Sequence, residues 1–353
     1  MSTQGNGRPE QPLRVGVVGL GYWGPNLVRN LHEVPDVEVA AICDLGEDAL
    51  ARVGRRFPAV RRTTSYADVL ADDTVDAVVI ATPVGTHSEL AHEALEAGKH
   101  VFVEKPLAPS LAEAIELHDL ATRRDLVLMA GHTFLYSPPV NIVRDLIHSG
   151  TIGDIYFISM SRVNLGIHQR DVSVVWDLGP HDFSILRYWL DETPTHVSAV
   201  SRGCVFPANP DIAFINLEFP SGVIAHVELS WLAPSKLRRT TIVGSERMVV
   251  YDDTSLEPVR IFDAGVQLPD PTTFGAYHLS YRTGDIVSPR VDVAEPLFLE
   301  MCGFRDSVRT GIPSRSSSAL AVEVVRIIEA VDQSFALGGE RVSVGAPRLA
   351  LVP

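Results

Sequence analysis

The stretch Trp176-Asp177-Leu178-Gly179-Pro180-His181-Asp182 holds a carboxylate and an imidazole four positions apart, bracketing a Gly-Pro pair. On a helix that spacing puts both side chains on one face. An imidazole can take a proton from an alcohol and later return it, and a nearby carboxylate stabilises the imidazolium once formed. With Asp177 near a helix N-cap, Pro180 falls in the first turn, where its missing N–H is tolerated. The dipole at a helix start disfavours a charged histidine, which keeps His181 neutral and able to act as a base. The same residues also read as a capping aspartate and a satisfied buried histidine. What the rest of the chain brings to His181 decides between the two.

The first third of the chain reads as cofactor machinery. The apolar run LRVGVVG (13–19) predicts a strand buried on both faces, and it leads directly into Gly19, Gly21 and Gly24 of a G-x-G-x-x-G loop. A helical pattern follows, then a second apolar strand, VEVAAIC (37–43), ending at Asp44. The first glycine permits the tight turn, the second lets a pyrophosphate approach the backbone, and the third lets the helix pack against the strand. Asp44 suits the adenine ribose hydroxyls and repels a 2′-phosphate, which favours NAD over NADP, although Arg52, Arg55 and Arg56 lie close in sequence.

Strand and helix patterns then alternate. Helices are expected at 46–57, 65–70, 87–97 and 110–123, with strands at 76–82, 100–106 and 126–132. Such repeats predict a doubly wound parallel sheet whose ligands sit beyond the carboxyl ends of the strands. That rim holds Tyr22, Trp23, Thr82, Pro83, Glu104 and Lys105, with His87 at the start of a helix beside it. Lys105 is one of only three lysines in the chain, and its place in VFVEKP marks it as a functional cation.

After His132 the pattern changes. A helix at 137–149 precedes period-two segments at 155–163, 195–203, 213–220, 223–231 and 238–245, and helices follow near 296–309 and 318–336. This predicts a large, mostly antiparallel sheet with one face covered. The fold class is α/β, with a flexible tail over 1–12, a Rossmann domain over 13–133 and a second domain over 134–353. The formal net charge of −14 argues against a nucleic-acid or anionic-membrane partner. The cysteines, Cys43, Cys204 and Cys302, lack zinc or disulfide spacing, and no apolar run is long enough to span a membrane. The N-terminus lacks the apolar centre of a signal peptide, so a cytoplasmic location is expected.

Together VGVVGLGYWG, ATPVGTH, AHEALEAGKHVFVEKPLA, WDLGPHD and EPLFLEMCGFRDSVRTGIPS resemble the Gfo/Idh/MocA family of dinucleotide-dependent oxidoreductases along nearly the whole chain. The resemblance implies that Lys105, Asp177 and His181 surround a sugar hydroxyl and the nicotinamide. His181 then acts as base, Lys105 holds the reacting oxygen, and Asp177 orients or tunes His181. Two departures stand out. Val84 occupies a position where many members have asparagine, and DVSVV precedes Asp177 where many have a glycine run. WDLGPHD and GYWGPN most resemble the branch that oxidises C3 of nucleotide-activated sugars such as UDP-N-acetylglucosamine derivatives. Inositol dehydrogenases and sugar 3-ketoreductases are close relatives, and an NAD-dependent glycosidase with an internally recycled cofactor is a further alternative. Substrate contacts are expected from His132, Tyr136, Arg162, Asn164, His168, Gln169 and Arg170, with the two arginines suited to a diphosphate or carboxylate. No metal site is expected. The resemblance also implies a homodimer or homotetramer formed through the second domain's sheet.

Overall fold

The structure is a computed structural model describing residues 11–166, 168, 172–267 and 280–345. In chain order the first eleven elements are β1 (Leu13–Val18), α1 (Gly24–Glu33), β2 (Val37–Cys43), α2 (Glu47–Gly54), β3 (Arg61–Thr63), α3 (Tyr66–Leu70), β4 (Ala77–Ile80), α4 (His87–Glu96), β5 (His100–Val103), α5 (Leu111–Arg123) and β6 (Leu128–Ala130). There follow α6 (Pro138–His148), β7 (Ile155–Val163), α7 (Val174–Leu190), β8 (His196–Arg202), β9 (Ile212–Glu218), β10 (Ile224–Ser230), β11 (Leu237–Gly244) and β12 (Met248–Asp252). The last elements are β13 (Val259–Gln267), β14 (Ser280–Val287), α8 (Pro296–Thr310), α9 (Ser318–Ala336) and β15 (Val342–Ser343).

The apolar runs of the first third form a six-stranded sheet in the order β3-β2-β1-β4-β5-β6, with every pairing parallel. Val15, Val17, Ala77, Val78, Val79, Ile80, Val101, Phe102 and Val103 are fully buried. A sheet with both faces covered requires this unbroken hydrophobicity. The order turns about β1 and β4, so the glycine loop after β1 and the Thr82-Pro83 turn after β4 share the carboxyl rim, where ligands of such sheets bind.

The later strands form a nine-stranded sheet, β14-β13-β12-β11-β7-β10-β9-β8-β15. Its pairings are antiparallel except for β7 with β10. Alternation gives it a buried face with Ile158, Met160, Ile215, Leu217, Ala225, Val227, Leu229, Ile242 and Val249. α6 and α7 pack on the strands. The expected α/β class and both sheet types are therefore present.

The domain limits differ from expectation. One compact unit is the chain through Gly131 together with Leu297–Ser318, and the other is His132–Pro296 with the chain from Ala319 onward. α8 thus returns to the first unit rather than staying with the second domain. Phe304 packs edge-on against Phe102 at 5.8 Å. Arg305 and Arg309 donate to the carbonyls of Pro35 and Asp36, and Ala130 N–H donates to Ser316 at 3.1 Å. Four of the nine strands, β12, β13, β14 and β15, were also not expected. Among the described residues no helix is long and apolar enough to cross a membrane.

Candidate active site

In the first unit the loop after β1 is built for close approach. Gly19 has φ 89°, and a Cβ there would lie 2.7 Å from the Ala81 carbonyl carbon. A Cβ on Gly24 would run into the Gly19 carbonyl oxygen, whereas Gly21 faces open space. Trp23, which precedes α1, makes no side-chain cap, so no side chain at that position competes for the first-turn amides. Tyr22 and Trp23 are exposed and meet edge to face at 5.3 Å. A cleft of about 630 Å³ runs along this loop, lined by Gly19, Gly21, Asp44, Tyr66, Thr82 and Pro83 among others. Cys43 also lines it, with its thiol pushed up to about 11 by burial and by Asp44.

Asp44 accepts the Leu20 N–H at 2.6 Å on one oxygen and the Gly46 N–H at 2.8 Å on the other. The carboxylate is thereby fixed at the strand end, and each oxygen keeps a lone pair for a ribose hydroxyl. Arg52 donates to the Leu20 carbonyl at 2.9 Å, so this arginine is engaged with the loop backbone. A two-oxygen acceptor, an unblocked glycine and a helix start fit an adenine dinucleotide. Replacing Asp44 with serine should lower the ratio of kcat/KM for NAD over NADP about thirtyfold, in line with the loss of hydrogen bonds to a charged group. An unchanged ratio would contradict the ribose assignment.

His87 differs from the expectation of a cofactor contact. It is 1% exposed, with Nδ1 2.9 Å from the Pro106 carbonyl oxygen and Nε2 2.9 Å from that of Thr82. Burial pushes its pKa down. Both ring nitrogens are turned to the protein, so His87 ties the Thr82-Pro83 turn to the Lys105-Pro106 turn and leaves the cofactor face to other groups.

Glu104 follows β5 and is 8% exposed; its Oε2 accepts the Lys105 N–H at 3.3 Å. A Cβ on Gly131 would approach that oxygen to 3.0 Å, so any larger residue there would push the Glu104 carboxylate aside by a few tenths of an ångström. Burial pushes the Glu104 carboxyl up to about 7, although the Lys105 ammonium and N–H pull it down. Between the ordinary carboxylate range and about 7, the folded protein keeps a proton that the unfolded chain has released. Glu104 therefore favours the folded state at low pH, and that contribution is lost as pH rises through about 7. Glu104→Gln should flatten the fall in melting temperature between about pH 5 and about pH 8. Parallel curves for the two proteins would contradict the assignment.

In the second unit, Ser173 caps α7 by accepting the Trp176 N–H at 3.4 Å. This corrects the expected register. Counting from Val174, Asp177 is the fourth helical residue and His181 the eighth, and Pro180 lies inside the helix. The helix-start dipole acts mainly within the first turn, and His181 lies beyond it. The Asp177 Oδ2 accepts the Trp231 indole N–H at 3.2 Å. The His181 ring meets the edge of Phe134 at 5.0 Å and 69°. On that same phenyl ring lie the guanidinium groups of Arg162 at 4.5 Å and Arg238 at 5.6 Å.

Arg162 also departs from expectation. It is 4% exposed and forks onto Asp182, with Nε to Oδ2 at 2.7 Å and Nη2 to Oδ1 at 3.0 Å. Burial opposes its charge, but the Asp182 carboxylate outweighs that and raises its pKa. A fork spent on Asp182 does not bind a diphosphate, so Arg162 positions Phe134 and the helix instead. His132 and Tyr136 are buried at 1% and 5% exposure, and Asn164 is half-buried with its N–H on the Ser230 carbonyl. His168 packs on Trp231 at 5.5 Å and Phe206 at 6.4 Å, with Nε2 3.8 Å from Asp211. Gln169 and Arg170 lie outside the described residues. In this unit the structure therefore groups Asp177 with Trp231 and His168, and His181 with Phe134, Arg162 and Arg238.

Phe134, Trp231, Asp182 and Arg238 are missing from the expected site. Trp231 reads as the last apolar residue of the segment VIAHVELSW, which hides its donor. Asp182 closes the WDLGPHD stretch, but its partner is 20 residues away on β7 and no local spacing reveals it.

Residues 13–132 match the oxidoreductase family with an NAD-binding Rossmann fold, and residues 140–250 match the GFO/IDH/MocA C-terminal domain. The scyllo-inositol 2-dehydrogenase (NAD(+)) of Bacillus subtilis (strain 168) is 28% identical over 72% of this chain and 78% of that protein. The myo-inositol 2-dehydrogenase of Thermotoga maritima is 26% identical over 71% of this chain and 78% of that protein. Among solved structures, GenD2 from gentamicin A biosynthesis in complex with NAD superposes with a TM-score of 0.81 at 26% identity, over 98% of this chain and 100% of that one. The chain belongs to the Gfo/Idh/MocA oxidoreductases and carries their NAD-binding Rossmann domain.

Proposed function

We propose that this protein is an NAD-dependent dehydrogenase that oxidises a secondary alcohol of a sugar or polyol. The observation that carries the reading is the Asp177–His181 pair, one turn apart on α7, with Asp177 held by a buried indole and His181 by a phenyl edge. In this reading His181 accepts the hydroxyl proton of the substrate and returns it in the reverse direction. Asp177 stabilises the imidazolium that forms. Lys105 presents its ammonium to the reacting oxygen and steadies the charge that develops there. Bound NAD supplies the two-electron acceptor. It would be held by the backbone of Gly19, Gly21 and Gly24 and by Asp44, with Tyr22, Trp23, Thr82, Pro83 and Glu104 around the rim.

Relatives that act on inositols, and one from gentamicin A biosynthesis, support a polyhydroxylated substrate. The C3 position of a nucleotide-activated sugar remains within the proposal, with His132, Tyr136, Asn164 and His168 as contacts. Arg162 is withdrawn as a diphosphate ligand because Asp182 occupies it. The test is NADH formation with a panel of UDP-N-acetylhexosamines, their uronates, TDP-sugars, free hexoses and inositols. Sustained NADH with one class supports the proposal and names the substrate. No NADH from any member by a protein that binds NAD would refute a net dehydrogenase.

A homo-oligomer formed through the second sheet belongs to the same reading. Ile224, Phe157, Val243, Met248, Phe262 and Ile286 are register partners across β10, β7, β11, β12, β13 and β14. Ile224, Phe157 and Ile286 are 52%, 45% and 61% exposed. Such an apolar band suits burial against a second copy. Sedimentation at the monomer mass would contradict it. Three free cysteines fit a reducing cytoplasm.

A further inference from the structure

We infer that Trp231 is a positioning residue for the reaction, fixing the rotation of the Asp177 carboxylate so that it serves His181. The inference rests on the catalytic reading of Asp177 and His181 given above. Trp231 is 2% exposed and follows the last residue of β10. An indole N–H is a donor only, and a buried one needs an acceptor. Here the acceptor is Asp177 Oδ2 at 3.2 Å.

The indole is itself held from several sides. The Trp231 backbone N–H donates to the Asp211 carbonyl at 2.9 Å, and the Trp231 carbonyl accepts the Gly166 N–H at 2.9 Å. A Cβ on Gly166 would lie 2.8 Å from the indole Cδ1, so the chain there packs closely on the ring. His168 packs on it at 5.5 Å. A rigid donor thus meets one oxygen of a carboxylate whose helix carries His181 one turn further on. A directed hydrogen bond onto one carboxylate oxygen limits the rotation of that carboxylate. Trp231 touches neither substrate nor cofactor in this account; it acts through Asp177.

The chain has four tryptophans, so the indole N–H resonances of the labelled, NAD-loaded protein are few, and Trp231→Phe assigns the one of interest. That resonance should move when Asp177 is replaced by alanine. If it does not move, the contact is absent and the inference is overturned. With the panel member that is oxidised, Trp231→Phe should lower kcat about tenfold and leave the KM for NAD within about twofold. In an Asp177→Ala background the same change should cost nothing further. An equal tenfold loss in that background would place the effect of Trp231 elsewhere and overturn the positioning role. If Asp177→Ala alone leaves turnover intact, the catalytic reading of Asp177 fails, which is a separate result. Should Trp231→Phe not fold, 3-benzothienylalanine at position 231 keeps the bicyclic shape and removes only the donor, with the same outcomes expected.

Discussion

Replacing His181 with alanine is expected to lower kcat by about a thousandfold while the Kd for NAD stays within about twofold, the range for removing a general base. The split follows from where the residue sits. The residues proposed to hold the dinucleotide, Gly19, Gly21, Gly24 and Asp44, all belong to the first unit, and His181 belongs to the second. The fold should tolerate the change, because His181 is only half-buried. Asp182, the next residue, would make a poor test. Removing it leaves Arg162 charged and buried without its carboxylate, a loss of about 3–5 kcal/mol that would obscure any catalytic effect. Steady-state kinetics and isothermal titration with NAD check the prediction. Equal loss of turnover and NAD binding would mean that His181 supports the fold and not the chemistry.

Lys105→Met should lower kcat by about a hundredfold or more, because the alcohol oxygen gains negative charge as its proton leaves and the variant has no cation to meet it. Methionine keeps most of the side-chain length and removes the charge. The same substitution has a second signature that needs no substrate. The Lys105 ammonium pulls the Glu104 carboxyl down against burial, so without it the carboxyl rises beyond about 7. The pH-dependent fall in stability should then move to higher pH, since the folded protein keeps the Glu104 proton further up the scale. Thermal melting across a pH series reads this shift. A kinetic defect without it would separate the role at the reacting oxygen from the electrostatics of the pair. Unchanged kcat would remove Lys105 from the reaction.

The first unit was legible because its signals are local. β1, the glycine loop, α1, β2 and Asp44 follow one another within about thirty residues, and each glycine meets a nearby backbone group or open space that explains it. The second unit was legible in pattern but not in partners. Alternation exposed β7 to β11, while β13 and β14, at one end of the sheet, carry polar and small residues on both faces and left little periodic trace. The start of α7 was misplaced because Asp177 is a strong capping residue in isolation, whereas Ser173, four positions earlier, takes that role. Arg162 looked like a free fork because its counter-ion comes from another element. Trp231 and Phe134 looked like core, and they are largely core. Their place beside Asp177 and His181 is set by tertiary packing that no sequence spacing encodes. The return of α8 to the first unit has the same origin, in packing such as Phe304 against Phe102.

Stoichiometry tests net oxidation of a sugar or polyol alcohol most directly. The purified protein would be incubated with NAD and the reactive panel member, and NADH and the sugar product would be quantified together by absorbance and mass spectrometry. NADH and a ketone product, lighter than its substrate by two hydrogens, should appear in equal amounts. A sugar that is cleaved or rearranged while no NADH accumulates would contradict net oxidation and assign the site to chemistry that returns its electrons within each turnover.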